Sequence, residues 1–546
     1  MPSGILLCMD ASLNGQLVIC LFATLGGIAC THGPKGSSSA GSCSTILSGA
    51  VTLCQGYRYS AYGLAAGTSG SVALTGEDPL TYDVYYLTAS GPKVKGTTCF
   101  RTHSGGWSYM TSSSRNLMWQ ITGGEAFAQD LLNGVTGPGG TTVRCAAVYD
   151  LLYPLTGMMT LSAPVLAGAT TLNVTNIGAG GWFWPTSATP NYSVVLDQGR
   201  ANQETVTVTA QSSIVKTGSS RKRTLTLSAG TEYAHNSVTV WIGADGADSP
   251  GVAGNPGGPY AIAFTGGGCT TEPTGTYTIA STGTLTMGGI NVTSNGSGCT
   301  SSPTASFPTG GWSRAPSAFV NFSTVNIAPT EWPVQSNAVA SFLSYHAHCS
   351  AGGTSPGAGA CASGVVSGNP VPGSPNDDRC IGDSAGAQLC TMAALSGATY
   401  LNNTSGNAGY SEWTDTNWTV TDAAVWSLPA DLNNMWQNDT SRAGEWALAG
   451  LIGGYPPSTA SLTAASPQHY ASNRAMRMAV VNGSIDDLTP AAQVSTFCAS
   501  VPGATCLIVP GQRHELDTWT YPGVTLGNVL KFILPLPGTA STGAVR

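Results

Sequence analysis

The sequence predicts an α/β fold: a mostly parallel central sheet with helices on both faces, interrupted by an all-β insertion. Three observations predict it. Strand-type and helix-type segments alternate over residues 69–158 and again over 322–537, the pattern of a layered α/β structure. Residues 159–321 lose that alternation and show period-2 patterning with no helical interval. A Gly-x-Ser-x-Gly motif, Gly382-Asp383-Ser384-Ala385-Gly386, lies between a short strand and an apolar helical run, as a sharp strand-to-helix turn requires.

Taken in order, residues 1–68 comprise an apolar segment and a Gly/Ser/Cys-rich, loop-rich extension. The run at 12–30 resembles a signal-peptide core ending in small residues, although no Lys or Arg precedes Lys35; a buried strand or helix is the other reading. The first α/β part, 69–158, holds strand signals at SVALTG and TYDVYYLTA, a helical stretch near Ser113–Leu132 and the apolar strand CAAVY at Cys145–Tyr149. Within 159–321, the runs TTLNVT, YSVVLD, ETVTVTA, RTLTLS and SVTVWIG alternate apolar and polar side chains, as half-buried antiparallel strands do. The segment GGGCTTEPT (266–274) recurs as GSGCTSSPT (296–304), a small duplicated motif at 260–310 whose Cys269 and Cys299 can pair. Helical signals return at Trp332–His348, where Pro333 suits a first turn. The second α/β part, 322–537, continues with the Ser384 turn and a helix to about Leu395. Strand Arg477–Val481, helix Pro490–Ala499, strand Cys506–Val509 and helix Leu526–Ile533 follow, then a flexible tail at 538–546.

Composition narrows the function. Charged residues are only 9 % and the net charge is −7, so no basic face exists to neutralise phosphates, and nucleic acid is excluded as a partner. The cluster Lys216, Arg221, Lys222 and Arg223 reads as a solvated hairpin tip. Fifteen Cys fit an oxidising compartment, secreted or at the cell surface. The close spacings Cys43/Cys54, Cys349/Cys361 and Cys498/Cys506 suit local bridges, and the odd total leaves at least one Cys over. Paired Cys at zinc spacing are absent from the sequence, and a helix would splay His346 from His348, so neither metal nor cofactor is expected. Beyond 12–30 no stretch is apolar enough for a membrane span, which argues against an integral membrane domain. The oligomeric state is not legible.

The motif at Ser384 carries the chemistry. Glycines at −2 and +2 let strand and helix pack closely behind an exposed hydroxyl, and the helix N-terminus favours negative charge beside it. A second match, Gly353-Thr354-Ser355-Pro356-Gly357, fails chemically: the residue after the nucleophile must donate its N–H to an oxyanion, and Pro356 has none. Asp486 lies in a loop after the strand Arg477–Val481, with Asp487 as the neighbour a one-residue slip would choose. His514 follows the next strand. The order Ser, Asp, His and the sheet-edge placement suit a nucleophile, a base and the acid that orients the base. His103-Ser104-Gly105-Gly106-Trp107 adds consecutive glycines after a strand, whose backbone N–H groups can approach an oxyanion.

These segments resemble the α/β-hydrolase fold esterases, close to the hormone-sensitive-lipase-like and bacterial feruloyl-esterase-like carboxylesterases. HSGGW is similar to their HGGGW motif and VYDLLYP to VDYRLAP. WPVQSNAVASFL looks like the WPAQ helix and GDSAGAQL like the GDSAGGxL elbow. LAGLIGGYPP and AASPQHYAS resemble the segment before the acid loop, NGSIDDLTPAAQ resembles HGxxDxxVPxxQ, and VPGQRHEL resembles the histidine loop. The resemblance implies Ser384 as nucleophile, His514 as general base and Asp486 as its acid. It implies Gly105, Gly106 and Ala385 as the oxyanion hole and hydrolysis through an acyl-enzyme. His103, Trp107 and Asp383 are candidate substrate contacts. Ser104 in place of the first Gly, the polar strand GTTCFRTH, and Ala387 and Gln388 depart from the family pattern.

The expected function is a serine carboxylic-ester hydrolase acting on small or aromatic acyl esters, its substrate a small molecule or a polymer-linked ester. The insertion is expected to be a cap or substrate-binding module, because it enters beside the sheet edge that carries the site. The alternatives are a β-rich surface, adhesion or binding protein on a dead hydrolase scaffold, a polyester hydrolase, and a serine peptidase of the same fold.

Overall fold

The computed structural model describes residues 42–58, 81–90, 97–102, 107, 124–136, 140–151, 158–176, 192–217, 220–242, 254–312, 316, 318–328, 339–340, 342–347, 377–403, 417–438, 442–452 and 454–514. Nine strands form the central sheet: β1 (Ser42–Ile46), β2 (Val51–Arg58), β3 (Thr81–Leu87), β4 (Thr97–Thr102), β5 (Cys145–Leu151), β6 (Asp378–Asp383), β7 (Val420–Trp426), β8 (Arg477–Gly483) and β9 (Ala504–Val509). Their spatial order is β1-β2-β3-β5-β4-β6-β7-β8-β9. The first pairings, through β3–β5, are antiparallel; all the others are parallel. The chain runs from β4 to one side for β5 and returns on the other for β6. That reversal at the carboxyl ends of β4 and β6 is where an open α/β sheet opens a crevice for a ligand.

The helices are α1 (Gly124–Asn133), α2 (Ala385–Asn403), α3 (Leu432–Asn438), α4 (Arg442–Ile452), α5 (Thr459–Ala464) and α6 (Ala491–Ser500), with residues 342–347 also helical. Parallel strands covered on both faces read as buried runs, and β4 and β6 are buried along their whole length. The polar character of β4 is accounted for by its partners. Cys99 is bridged to Cys145 of β5. Arg101 pairs with Asp150 and Asp383, each at 3.4 Å, and the Thr102 hydroxyl donates to the Gly386 carbonyl at 2.6 Å.

One sequence expectation changes here. Residues 42–58, read as part of a loop-rich extension, hold β1 and β2, tied by the Cys43–Cys54 bridge. Cross-linking and pairing on β3 build an edge that Gly- and Ser-rich periodicity hides. The helix near 113–132 is described only from Gly124. The strand at SVALTG, the helix at 526–533, the apolar run 12–30 and Cys349/Cys361 lie outside the described residues.

Between residues 158 and 328 every described regular element is a strand. Six of them, Met158–Leu161, Thr171–Asn176, Tyr192–Leu196, Glu204–Gln211, Ser220–Leu227 and Ala318–Ala328, pair antiparallel in a closed ring. Closure pairs two of these strands, Tyr192–Leu196 and Ala318–Ala328, with each other. Val238–Ile242 adds to Ala318–Ala328 outside the ring. In the duplicated segment, Cys269 and Cys299 are bridged and Thr271 and Ser297 form a bridge pair, so the two copies face each other.

This β body shares one apolar core with the sheet domain. Tyr455, after α4, packs its ring against Trp241 with the centroids 4.4 Å apart and the planes tilted by 44°, and its hydroxyl donates to the Val240 carbonyl. From the β body, Arg200 donates to the Tyr455 carbonyl at 2.9 Å. The segment carrying Tyr455 belongs to the connection between β7 and β8, so the β body is docked on that connection.

Candidate active site

The site is built where β6 turns into α2. Ser384 holds φ +50°, a left-handed conformation that costs energy for a residue with a side chain and persists only where its surroundings fix it. They do so closely: the Ser384 N–H donates to the Trp426 carbonyl of β7 at 2.9 Å, and the Ser384 carbonyl accepts from Gln388 N–H at 3.2 Å. Glycine is required at 382, because a Cβ there would lie 2.5 Å from the Gly386 carbonyl oxygen. The turn leaves Oγ at the carboxyl end of the sheet, and Ala385 opens α2, where first-turn N–H groups have no partner within the helix. Cys380 of β6 and Cys390 of α2 are bridged, bracketing the turn.

The acid and histidine loops leave the next two strands in the same direction. Gly483 closes β8, and a Cβ there would collide with the carbonyls of Gln512 and Arg513. The histidine loop therefore lies on main chain, held by Ile485 N–H to the Gln512 carbonyl at 3.0 Å and Gly511 N–H to Ser484 Oγ at 2.8 Å. This packing brings together three side chains spread over 131 positions. His514 Nε2 is 2.9 Å from Ser384 Oγ. His514 Nδ1 is 2.9 Å and 3.0 Å from the two Asp486 oxygens. Asp486 also accepts from Thr489 N–H and Thr489 Oγ1, each at 2.7 Å. Burial opposes its charge, but the His514 ring and the hydrogen bonds from His514 and Thr489 outweigh it and hold the carboxyl below its ordinary value. The carboxylate is thus kept ionised behind the imidazole, able to stabilise an imidazolium. A base hydrogen-bonded to a hydroxyl and oriented by an acid can remove the hydroxyl proton as it attacks a carbonyl.

The other expected site residues divide. His103, Gly105 and Gly106 lie outside the described residues. Asp383, expected to face substrate, is 1 % exposed and paired with Arg101; its carboxylate braces the turn from beneath. Trp107, expected to line a pocket, is buried, and its indole N–H donates to Gln388 Oε1 at 3.1 Å. Asp487, the neighbouring acid, is half-buried beyond the residue that meets the ring. His346 is buried and pairs with Asp378 at 3.0 Å. Arg101 and Gln388 hold the site together, yet the sequence signals neither as functional. Their partners lie up to 282 positions away, and Gln388 reads only as a departure from the family pattern.

The BD-FAE family model, esterase-like and of α/β-hydrolase type, matches residues 375–500, which span the Ser384 turn and the acid loop. It supports an ester-hydrolysing enzyme at the level of the family. No curated protein matches the sequence. Among solved structures, esterase B from Lactobacillus rhamnosis (HN001) is similar at 11 % identity and a TM-score of 0.39, over 89 % of this chain and 85 % of that one. A truncated carbohydrate esterase from gut microbiota is similar at 16 % identity and a TM-score of 0.28, over 40 % and 73 % of the two chains. An acetyl ester-xyloside bifunctional hydrolase from Caldicellulosiruptor lactoaceticus is similar at 15 % identity and a TM-score of 0.27, over 38 % and 67 %.

Proposed function

We propose that the chain is a serine carboxylic-ester hydrolase that works through an acyl-enzyme on small or aromatic acyl esters. The observation that carries this reading is the 2.9 Å approach of His514 Nε2 to Ser384 Oγ, with Asp486 behind the ring. Ser384 attacks the ester carbonyl while His514 takes its proton. The N–H of Ala385, with those of Gly105 and Gly106, receives the oxyanion. His514 returns the proton to the leaving alcohol, then activates water to release the acid. The β body, with limits near 159 and 321, is an insertion that serves as cap or substrate-binding module; its docking on the connection after β7 supports that role. Five disulfides among the described residues support a secreted or cell-surface location. Among those residues no helix is long and apolar enough to cross a membrane.

The test is labelling with a fluorophosphonate probe alongside hydrolysis of p-nitrophenyl and hydroxycinnamoyl esters. Wild type is expected to label and turn over, and Ser384→Ala to do neither, with a loss of about 10⁴-fold or more in kcat. A folded wild type that neither labels nor hydrolyses any ester would leave this reading without support.

A further inference from the structure

We propose that Thr489 is a positioning residue for the proton relay: its hydroxyl fixes the Asp486 carboxylate against His514 and sets the lowest pH at which the relay works; the inference rests on the function proposed above. Asp486, Thr489 and Asn482 are all buried. Thr489 stands between the acid loop and α6. It meets Asp486 twice, by its N–H to Oδ1 and by its hydroxyl to Oδ2, each at 2.7 Å. Leu488 N–H adds a bond to Oδ1 at 3.0 Å. Asn482, next to last in β8, holds Thr489 itself: its Nδ2 donates to the Thr489 carbonyl at 2.9 Å and to the Gly483 carbonyl at 3.1 Å. The central sheet therefore fixes where the hydroxyl stands.

The main-chain bonds fall on Oδ1, whereas Oδ2 is shared between the imidazole, at 2.9 Å, and the Thr489 hydroxyl. A hydroxyl has one proton to give. Asn482 Oδ1 lies 3.3 Å from it and Asp486 Oδ2 2.7 Å, so the nearer, charged oxygen takes the proton. A carboxylate that accepts fewer hydrogen bonds is a stronger base and grips a protonated ring more tightly. Without the hydroxyl, His514 keeps its proton to higher pH and serves as a base only above it. Of the titratable groups nearby, His514 faces Asp486 from the histidine loop, Asp487 follows it in its own loop and Arg513 precedes His514; the His514 ring is the charge that acts on the carboxyl. α6, which Thr489 precedes, carries no charged residue. The motif HGxxDxxVPxxQ, which this segment resembles, has Val where Thr489 stands and His where Asn482 stands, so both the hydroxyl and its support depart from that pattern.

The experiment measures kcat and kcat/KM against pH for a p-nitrophenyl ester on the full chain, and follows the His514 Nδ1 proton by NMR over the same range. Thr489→Val keeps the shape and the N–H and loses the hydroxyl. It is expected to move the acid limb of kcat/KM, and the ring titration with it, up by about half a pH unit or more. On the plateau kcat is expected to fall about tenfold, with KM within about threefold of wild type. Thr489→Ser, which keeps the donor, is expected to return the limb to its wild-type position. Thr489→Ala deletes the donor without setting a methyl against the carboxylate, so it carries the test where Thr489→Val does not fold. A limb unmoved in the variants without the hydroxyl, or moved as far in Thr489→Ser, would overturn the proposal. A merely structural Thr489 would change the folded fraction and leave the position of the limb alone. An inert wild type removes the hydrolase reading, and the ring titration then judges Thr489 by itself.

Discussion

Of the described histidines held by carboxylates, His514 and His235 are held for different ends. His514, at the carboxyl edge of the central sheet, gives Nδ1 to Asp486 and turns Nε2 to the Ser384 hydroxyl. His235, inside the β body, gives Nδ1 to Asp197 at 2.8 Å and Nε2 to Glu204 at 2.6 Å. It is wholly buried, and Asp197 is further tied to Asn202 and Ser323, each at 2.7 Å. What faces the second nitrogen makes the difference. A hydroxyl there leaves the ring a proton to take up; a second carboxylate leaves it only a charge to neutralise. The first arrangement suits proton transfer, the second a structural clasp that holds the turn from Asp197, whose Arg200 reaches the Tyr455 carbonyl.

The contrast can be broken most sharply at Asp486. Asp486→Asn is expected to lower kcat by about 10³–10⁴-fold with little change in melting temperature, because the wrong tautomer is then presented to Ser384; steady-state kinetics beside a thermal melt check this. At the other histidine the outcome is reversed. His235→Gln removes the charge that sits between Asp197 and Glu204, which costs up to about 3–5 kcal/mol of stability, while the turnover of molecules that remain folded is preserved. Denaturant unfolding with activity normalised to folded protein measures both.

The smallest expected effect is in pH. Burial works against the His235 charge, but hydrogen bonds and attraction from Asp197 and Glu204 prevail and raise its value above that of a free histidine. Its contribution to stability is complete below the ordinary histidine range and is lost as pH rises through the raised value. Asp486 has the opposite sign: its contribution is present above the ordinary aspartate range and is lost as pH falls through its lowered value. Melting temperature against pH should therefore decline on the alkaline side in wild type and flatten there in His235→Gln. A decline of equal slope in both would break the comparison.

How far these two sites could be read from sequence follows from how local their signals are. The Ser384 turn was legible because its glycines, its serine and its helix are contiguous, and each has a steric reason to be where it is. Asp486 and His514 stand out in the sequence because each lies in a loop that follows a strand signal of one sheet. The clasp at His235 was not, since its three members come from separate strands and turns of the β body with no motif linking them. The same holds for Arg101, whose two acids lie on β5 and β6, and it explains why Asp383 was read as a substrate contact. The first two strands were hidden by their Gly/Ser-rich surroundings, where pairing and a covalent bridge supply what periodicity does not.

The bare backbone at Gly483 has one further consequence. Because the acid and histidine loops meet through main-chain atoms there, any side chain at 483 would push the two loops apart. Ile485, half exposed on the acid loop, joins the histidine loop through its own N–H, so exchanging its side chain is expected to leave the spacing of Asp486 and His514 unchanged. That position is a surface that can be varied in mechanical isolation from the histidine and aspartate beneath it.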